Sequence, residues 1–253
     1  MTMMLAKDLA DKMKDIAMNY KTCYVWGGCG MPITEATIKD KLTQYPNENQ
    51  NFCANARKLI GKHAWMFDCV CTIKSVLWGW KGDWNKYFGG AVYRSNGVPD
   101  VSADGMINLC KSVTSDFSKI SVGEALWLPG HIGVYIGGGL AVECTPAFDN
   151  AMHDNGVKIT SVGNIGTVSG YPTRKWSKHG KLPWVNYAYE QEEKPEAAKN
   201  GKIIIDGVEK PINRILQDGY NYFKLRDLAE ACGKTWPYEI GNNGNIAVLT
   251  TKK

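Results

Sequence analysis

Eight cysteines and four histidines are spread along this 253-residue chain, and one of each stands where it could do chemistry. Cys69 follows Phe67-Asp68 and precedes apolar residues at 70, 73, 76 and 77, with Gly79 closing the run. That pattern predicts a helix capped by Asp68 with Cys69 in its first turn. A thiol attacks an amide as its thiolate, so a catalytic cysteine needs a lowered pKa and a base close by. The free N–H groups of a helix start favour the anion and can also donate to an oxyanion, so the position predicts an acidified thiol.

The base must come from His63, His131, His153 or His179. Strand alternation selects His131: Ile132, Val134 and Ile136 share one face and meet the core, leaving His131, Gly133 and Tyr135 on the other, with Gly133 making room beside the imidazole. Gly137-Gly138-Gly139 turns this strand into a second one, Leu140 to Thr145. Pairing core with core there puts Glu143 on the side of His131. A carboxylate at that place would hold the ring tautomer and stabilise the imidazolium. His153 and His179, in polar surroundings, read as exposed, and His63 as a residue that could approach the site from the segment before it.

These residues need a scaffold. Leu5, Leu9, Met13, Ile16 and Ala17 recur at spacings of three and four and predict an amphipathic helix over residues 4–20. Cys23 to Trp26 is β-prone and enters a turn at Gly27-Gly28 that calls for missing side chains or positive φ. Residues 29–66 are polar and irregular and read as a long loop, with a short helix at most. Glu190 to Asn200, charged and without large apolar residues, reads as linker. The domains expected are 1–187, a linker 188–201, and a small α+β module over 202–253. In that module a strand ends at Asp206-Gly207, a turn lies at Asp218-Gly219, a helix spans 225–231 and a closing strand spans 246–250.

Composition sets outer limits. A net charge of +5, from 30 basic and 25 acidic residues, lacks the clustered stripe of a nucleic-acid binder. No apolar run approaches the roughly 20 residues of a membrane span. The opening residues lack a basic region followed by an apolar run, so the chain is expected to stay in a cytoplasm and its thiols to be reduced, with Cys71 as core packing. Cys23, Cys29, Cys53, His63, Cys69 and Cys71 lack paired C-x2-C spacing, so neither a metal nor another cofactor is expected.

Taken in order, Tyr24-Val-Trp-Gly-Gly28, Phe67-Asp-Cys69, Gly123-Glu124 and His131-Ile-Gly-Val-Tyr-Ile-Gly137 resemble the signature of NlpC-type peptidoglycan hydrolases, papain-like enzymes related to the CHAP amidases. The resemblance covers roughly residues 5–185. It implies an α+β, papain-like core of N-terminal helices packed on an antiparallel sheet, with Cys69 as nucleophile, His131 as base and then acid, and Glu143 as orienting residue. Tyr24, Trp26 and Asp68 would line or shape the substrate groove. The implied substrate is bacterial peptidoglycan, cut after D-glutamate or between muramic acid and alanine. The sequence departs from the family at Val70-Cys71, where Ser-Gly is usual, at Glu143, which is closer to CHAP usage, and in the long Gly28 to Asp68 interval.

A wall hydrolase without a leader resembles a phage endolysin held in the host cytoplasm until release. Ile205-Asp-Gly207 with Tyr220 to Gly233 resembles the small module named after the N-terminal region of copper amine oxidases. It has no histidine for copper, and wall attachment or homodimerisation is its implied role. Two other functions compete: a non-catalytic wall-binding protein on the same scaffold, and a cysteine transferase or deamidase toxin.

Overall fold

A two-residue strand, β1 (Met4–Leu5), runs into α1 (Ala6–Asn19), whose Leu9, Met13 and Ile16 stripe is buried in this computed structural model. Burial of each such side chain contributes roughly 1.5–3 kcal/mol, so the spacing seen in sequence is what docks the helix. Residues 3–148 and 156–187 are described in full, as are the backbone strands lying between residues 199 and 251. The chain divides into two units, residues 1–187 and 188–253.

The segment expected to be a long loop is largely regular. After β2 (Lys21–Tyr24), the chain forms β3 (Cys29–Pro32), α2 (Glu35–Gln44), α3 (Gln50–Arg57) and β4 (Ala64–Phe67). Strand β4 lies between β2, parallel to it, and β3, antiparallel. Helix α2 starts at a reciprocal cap in which Thr34 and Thr37 bond each other's backbone N–H, and it buries Ile38 and, unusually, Lys41. A Thr–Thr box is a weaker signal than the Ser/Thr to Glu/Gln form. One buried isoleucine makes no visible stripe.

Helix α4 (Cys69–Leu77) is buried along its whole length, with Asp68 as its cap. It is followed by α5 (Ala103–Leu109), capped by Ser102. The remaining strands of the first unit are β5 (Lys111–Thr114), β6 (Ala125–Leu128), β7 (His131–Gly137), β8 (Leu140–Cys144), β9 (Val157–Val162), β10 (Thr173–Arg174), β11 (Lys178–Lys181) and β12 (Val185–Asn186). Seven of them form one sheet in the order β10-β9-β8-β7-β6-β11-β5, antiparallel except at β10-β9. The fold class is α+β. Helices α1 and α4 pack on β7 and β8, where Ile132, Val134, Val142 and Cys144 join the main core. Leu126, Ala141, Val162 and Trp176 gather with Phe117 in a smaller cluster.

In the second unit, β13 (Lys199–Ile205), β14 (Val208–Gln217) and β15 (Tyr220–Phe223) make an antiparallel sheet, and β16 (Tyr238–Asn243) pairs with β17 (Ile246–Thr251). Strand β13 begins three residues before the linker boundary expected from sequence. The expected helix over 225–231, the turns at 206–207 and 218–219 and the linker residues 188–198 lie outside the described residues.

Candidate active site

Asp68 builds the position of Cys69, the expected nucleophile. One of its carboxylate oxygens accepts the Cys71 N–H at 2.6 Å and the other the Gly27 N–H at 2.8 Å. The cap thus fixes the start of α4 and ties it to the Trp26-Gly27 turn, where Gly27 has φ +73° and a Cβ would collide with Tyr45. The backbone N–H groups of Cys69 and Val70, and that of Ile132 on β7, favour the anionic form of the Cys69 sulfur. Ile132 immediately follows His131, so the thiol meets the strand at the peptide next to the expected base.

The expectation of an acidified thiol is overturned. Burial of Cys69, reinforced by the Asp68 carboxylate, pushes its pKa up to about 12, and the three N–H groups only partly offset this. Desolvation outweighs the helix start because the whole first turn of α4 is buried. At neutral pH the sulfur is a thiol, and a thiolate must be made by proton transfer.

The expected base and its carboxylate are paired in the sheet, outside the residues that line the cavity with Cys69. In the β7–β8 register Glu143 pairs with Gly133, one diagonal step from His131. The His131 ring meets the carboxylate through Nε2 at 2.7 Å, and with that nitrogen as donor, Nδ1 is left as acceptor for a proton. The ring stacks on Trp176, with centroids 5.6 Å apart and planes 10° from parallel. A Cβ on Gly133 would come within 3.0 Å of the same indole and 3.2 Å of Glu143 Cβ. Gly133 therefore makes room for the groups that hold the imidazole.

Glu143 is fully buried and has more partners than the sequence suggested. Thr160 donates its hydroxyl to Oε1 at 2.7 Å, and Arg174 Nε lies 2.8 Å from Oε1 and 2.7 Å from Oε2. Burial alone would raise this carboxyl's pKa, but His131 and Arg174 outweigh it and hold it below the ordinary glutamate value. Thr160 and Arg174 were missed from sequence. The Thr side chain lies on β9, whose place beside β8 the hairpin pattern does not announce, and Arg174 is 31 residues beyond Glu143.

Tyr24, Trp26, Asp68 and Cys69 all line one cavity of about 680 Å³. Tyr24 stacks edge-on against Phe52 at 4.8 Å, and its phenol stays protonated because burial, Cys69 and Asp68 all raise its pKa. Half-exposed Trp26 offers a free ring face. Asp68 is a clamp on backbone more than a ligand for substrate, since both of its oxygens are occupied from within.

No known protein family and no characterised protein matches the chain.

Three expectations about the other cysteines and histidines are corrected. Cys29 and Cys71 form a disulfide across 42 residues, joining β3 to α4, so these two thiols are neither reduced nor simple core packing. Cys53, Cys69, Cys110 and Cys144 are free thiols. His179 is buried, not exposed, and its Nδ1 faces Glu124 while Nε2 meets the Asp116 carbonyl at 2.9 Å. That pair holds β11 against its neighbours and has no nucleophile among its partners. His63 packs against Trp84 at a tilt of 43°, with centroids 4.5 Å apart, and lies outside the cavity lining, and His153 is outside the described residues. Among the described residues no group of three or more His, Cys, Asp or Glu is disposed to hold a metal ion, and no helix is long and apolar enough to cross a membrane.

Proposed function

We propose that this chain is a cysteine hydrolase that cuts an amide bond in the stem peptides of bacterial peptidoglycan. The observation that carries the reading is the Glu143–His131 pair, set by the β7–β8 register, on the strand whose Ile132 backbone reaches a helix-start thiol that lines a cavity large enough for a peptide. The resting thiol is neutral. Substrate carbonyl attack is therefore coupled to transfer of the thiol proton to His131 Nδ1, with Glu143 stabilising the imidazolium. Helix-start N–H groups receive the developing oxyanion, the imidazolium protonates the leaving amine, and water then hydrolyses the thioester by the same base.

Peptidoglycan as substrate rests on the ordered resemblance to NlpC-type enzymes and their papain-like architecture. Aromatic side chains at the cavity fit a sugar-linked peptide, and a Cys29–Cys71 disulfide suits action outside a reducing cytoplasm. The second unit would attach the enzyme to the wall or pair two copies.

Purified sacculi treated with the full chain should release fragments whose masses identify the bond cut, as D-glutamyl endopeptidase or muramoyl-alanine amidase products. Cys69→Ala should release none. Clearing by the alanine variant would remove Cys69 from its role, and cleavage or deamidation of protein substrates instead would point to the toxin reading.

A further inference from the structure

Lys41 is the least explained charge in the molecule. It sits on α2, is 5% exposed, and lines the same cavity as Cys69. Its ammonium donates to the neutral Gln44 amide oxygen at 2.7 Å and lies 5.9 Å from the centre of the Tyr45 ring. An ammonium carries three donors, and among the described residues no carboxylate pairs with this one. Burying a cation without a counter-charge is costly, and proteins rarely keep one unless something completes it.

The other charges of the cavity are already satisfied. Lys74, also buried, pairs with Asp100 and donates to the Val101 carbonyl at 3.1 Å. Asp100 accepts in addition from the Tyr93 hydroxyl, and Asp68 is held by two backbone N–H groups. Among the described residues that line the cavity, Lys41 alone is left with donors and no anion. Burial lowers its pKa, while Asp68, Asp40 and Asp100 pull the other way without contact. An anion bound at the ammonium would add to that second effect.

We infer that Lys41 forms a carboxylate-binding subsite of the cavity, so that the preferred substrate is a peptide bearing a free carboxylate near the bond that Cys69 attacks. Identification of the ligand as a stem peptide rests on the hydrolase reading. The existence of an anion subsite does not. The residue belongs to the 29–66 segment, whose α2 and α3 are thereby a specificity element added to the Cys69 site.

The test compares two probes, acyl-alanyl-γ-D-glutamyl-lysine with its glutamyl α-carboxylate free and the same peptide with that group converted to a carboxamide. Titration calorimetry on full-length Cys69→Ala should show the carboxylate peptide binding at least about tenfold more tightly, the scale expected when a buried charged donor loses its acceptor. The preference should vanish in Cys69→Ala/Lys41→Met and persist in Cys69→Ala/Lys41→Arg. Equal binding of the two probes, no binding, or a preference that survives Lys41→Met would overturn the subsite, and the first comparison needs no change at position 41. Turnover by the unsubstituted chain is read separately. A carboxylate preference with no cleavage of either the probe or purified sacculi sinks the hydrolase reading and keeps the subsite, and cleavage without preference does the reverse.

Discussion

Glu143 can be tested on two axes because it serves the imidazole and the fold together. Glu143→Gln keeps the shape but leaves Arg174 without a counter-charge and weakens the hold on the His131 tautomer. Expected are a fall in kcat of roughly 10²–10⁴-fold and a loss of up to about 3 kcal/mol of stability at neutral pH. The pH dependence separates this from a generic packing defect. Since the folded carboxyl titrates below its unfolded value, near 4.3 for a free glutamate, its stabilisation is complete above that unfolded value and is lost as pH falls through the folded one. The wild-type melting temperature should therefore drop more steeply below about pH 4 than that of the variant. Parallel acid profiles would remove Glu143 as the titrating group. His131 and Glu143 could be read from sequence because a strand has a side-chain period of two and a glycine turn limits the register. No local period reports Arg174, which arrives from β10, a two-residue strand.

At the scale of elements, α1 was legible from its apolar stripe alone and α4 from its apolar run and its Asp68 cap. Helices α2 and α3 were not, since their start signals are weak and Thr37 and Lys41 occupy buried positions where a hydrophobic stripe would show. Beside the buried Ile38, Cys53 and Ala56, a polar group helps to hold them. Asn49, fully buried, accepts the Trp26 N–H at 3.0 Å and donates to the Trp26 and Lys41 carbonyls at 3.0 and 3.1 Å. A single amide therefore joins the α2–α3 segment to the turn that Asp68 clamps. Asn49→Ala leaves the Trp26 N–H and C=O unpaired, while the Lys41 carbonyl keeps the Tyr45 N–H, at a cost of about 1–3 kcal/mol in all. Denaturant unfolding should show that loss, and peptide turnover should fall even though Asn49 is not among the cavity-lining residues. An unchanged midpoint would mean that water replaces the amide and that the segment is held by other contacts. The buried thiol teaches a related lesson: a helix start favours an anion only as far as solvent or fixed dipoles can offset desolvation, and sequence shows the helix start but not the burial.

At the scale of the whole molecule, the first of the two units has a defined end. Its last strand, β12, pairs in parallel with β1 at the other end of the unit, Val185 is buried, and the Tyr187 hydroxyl donates to the Gly123 carbonyl at 2.8 Å while accepting the Leu182 N–H at 3.0 Å. The N-terminal and C-terminal edges of the unit thus close on each other. A chain ending at Tyr187 keeps all of these contacts and should unfold cooperatively and cut a soluble peptide with an unchanged kcat/KM. A chain ending at Pro183 loses β12 and Tyr187, and should be less stable by about 2–4 kcal/mol from the lost apolar burial and hydrogen bonds. If residues 188–253 attach the enzyme to the wall, the Tyr187 truncation should clear intact walls more slowly than the full chain while matching it on the peptide. Equal rates on both substrates would leave the second unit without a role in attachment, and a slower rate on both would show that it contributes to the catalytic unit itself.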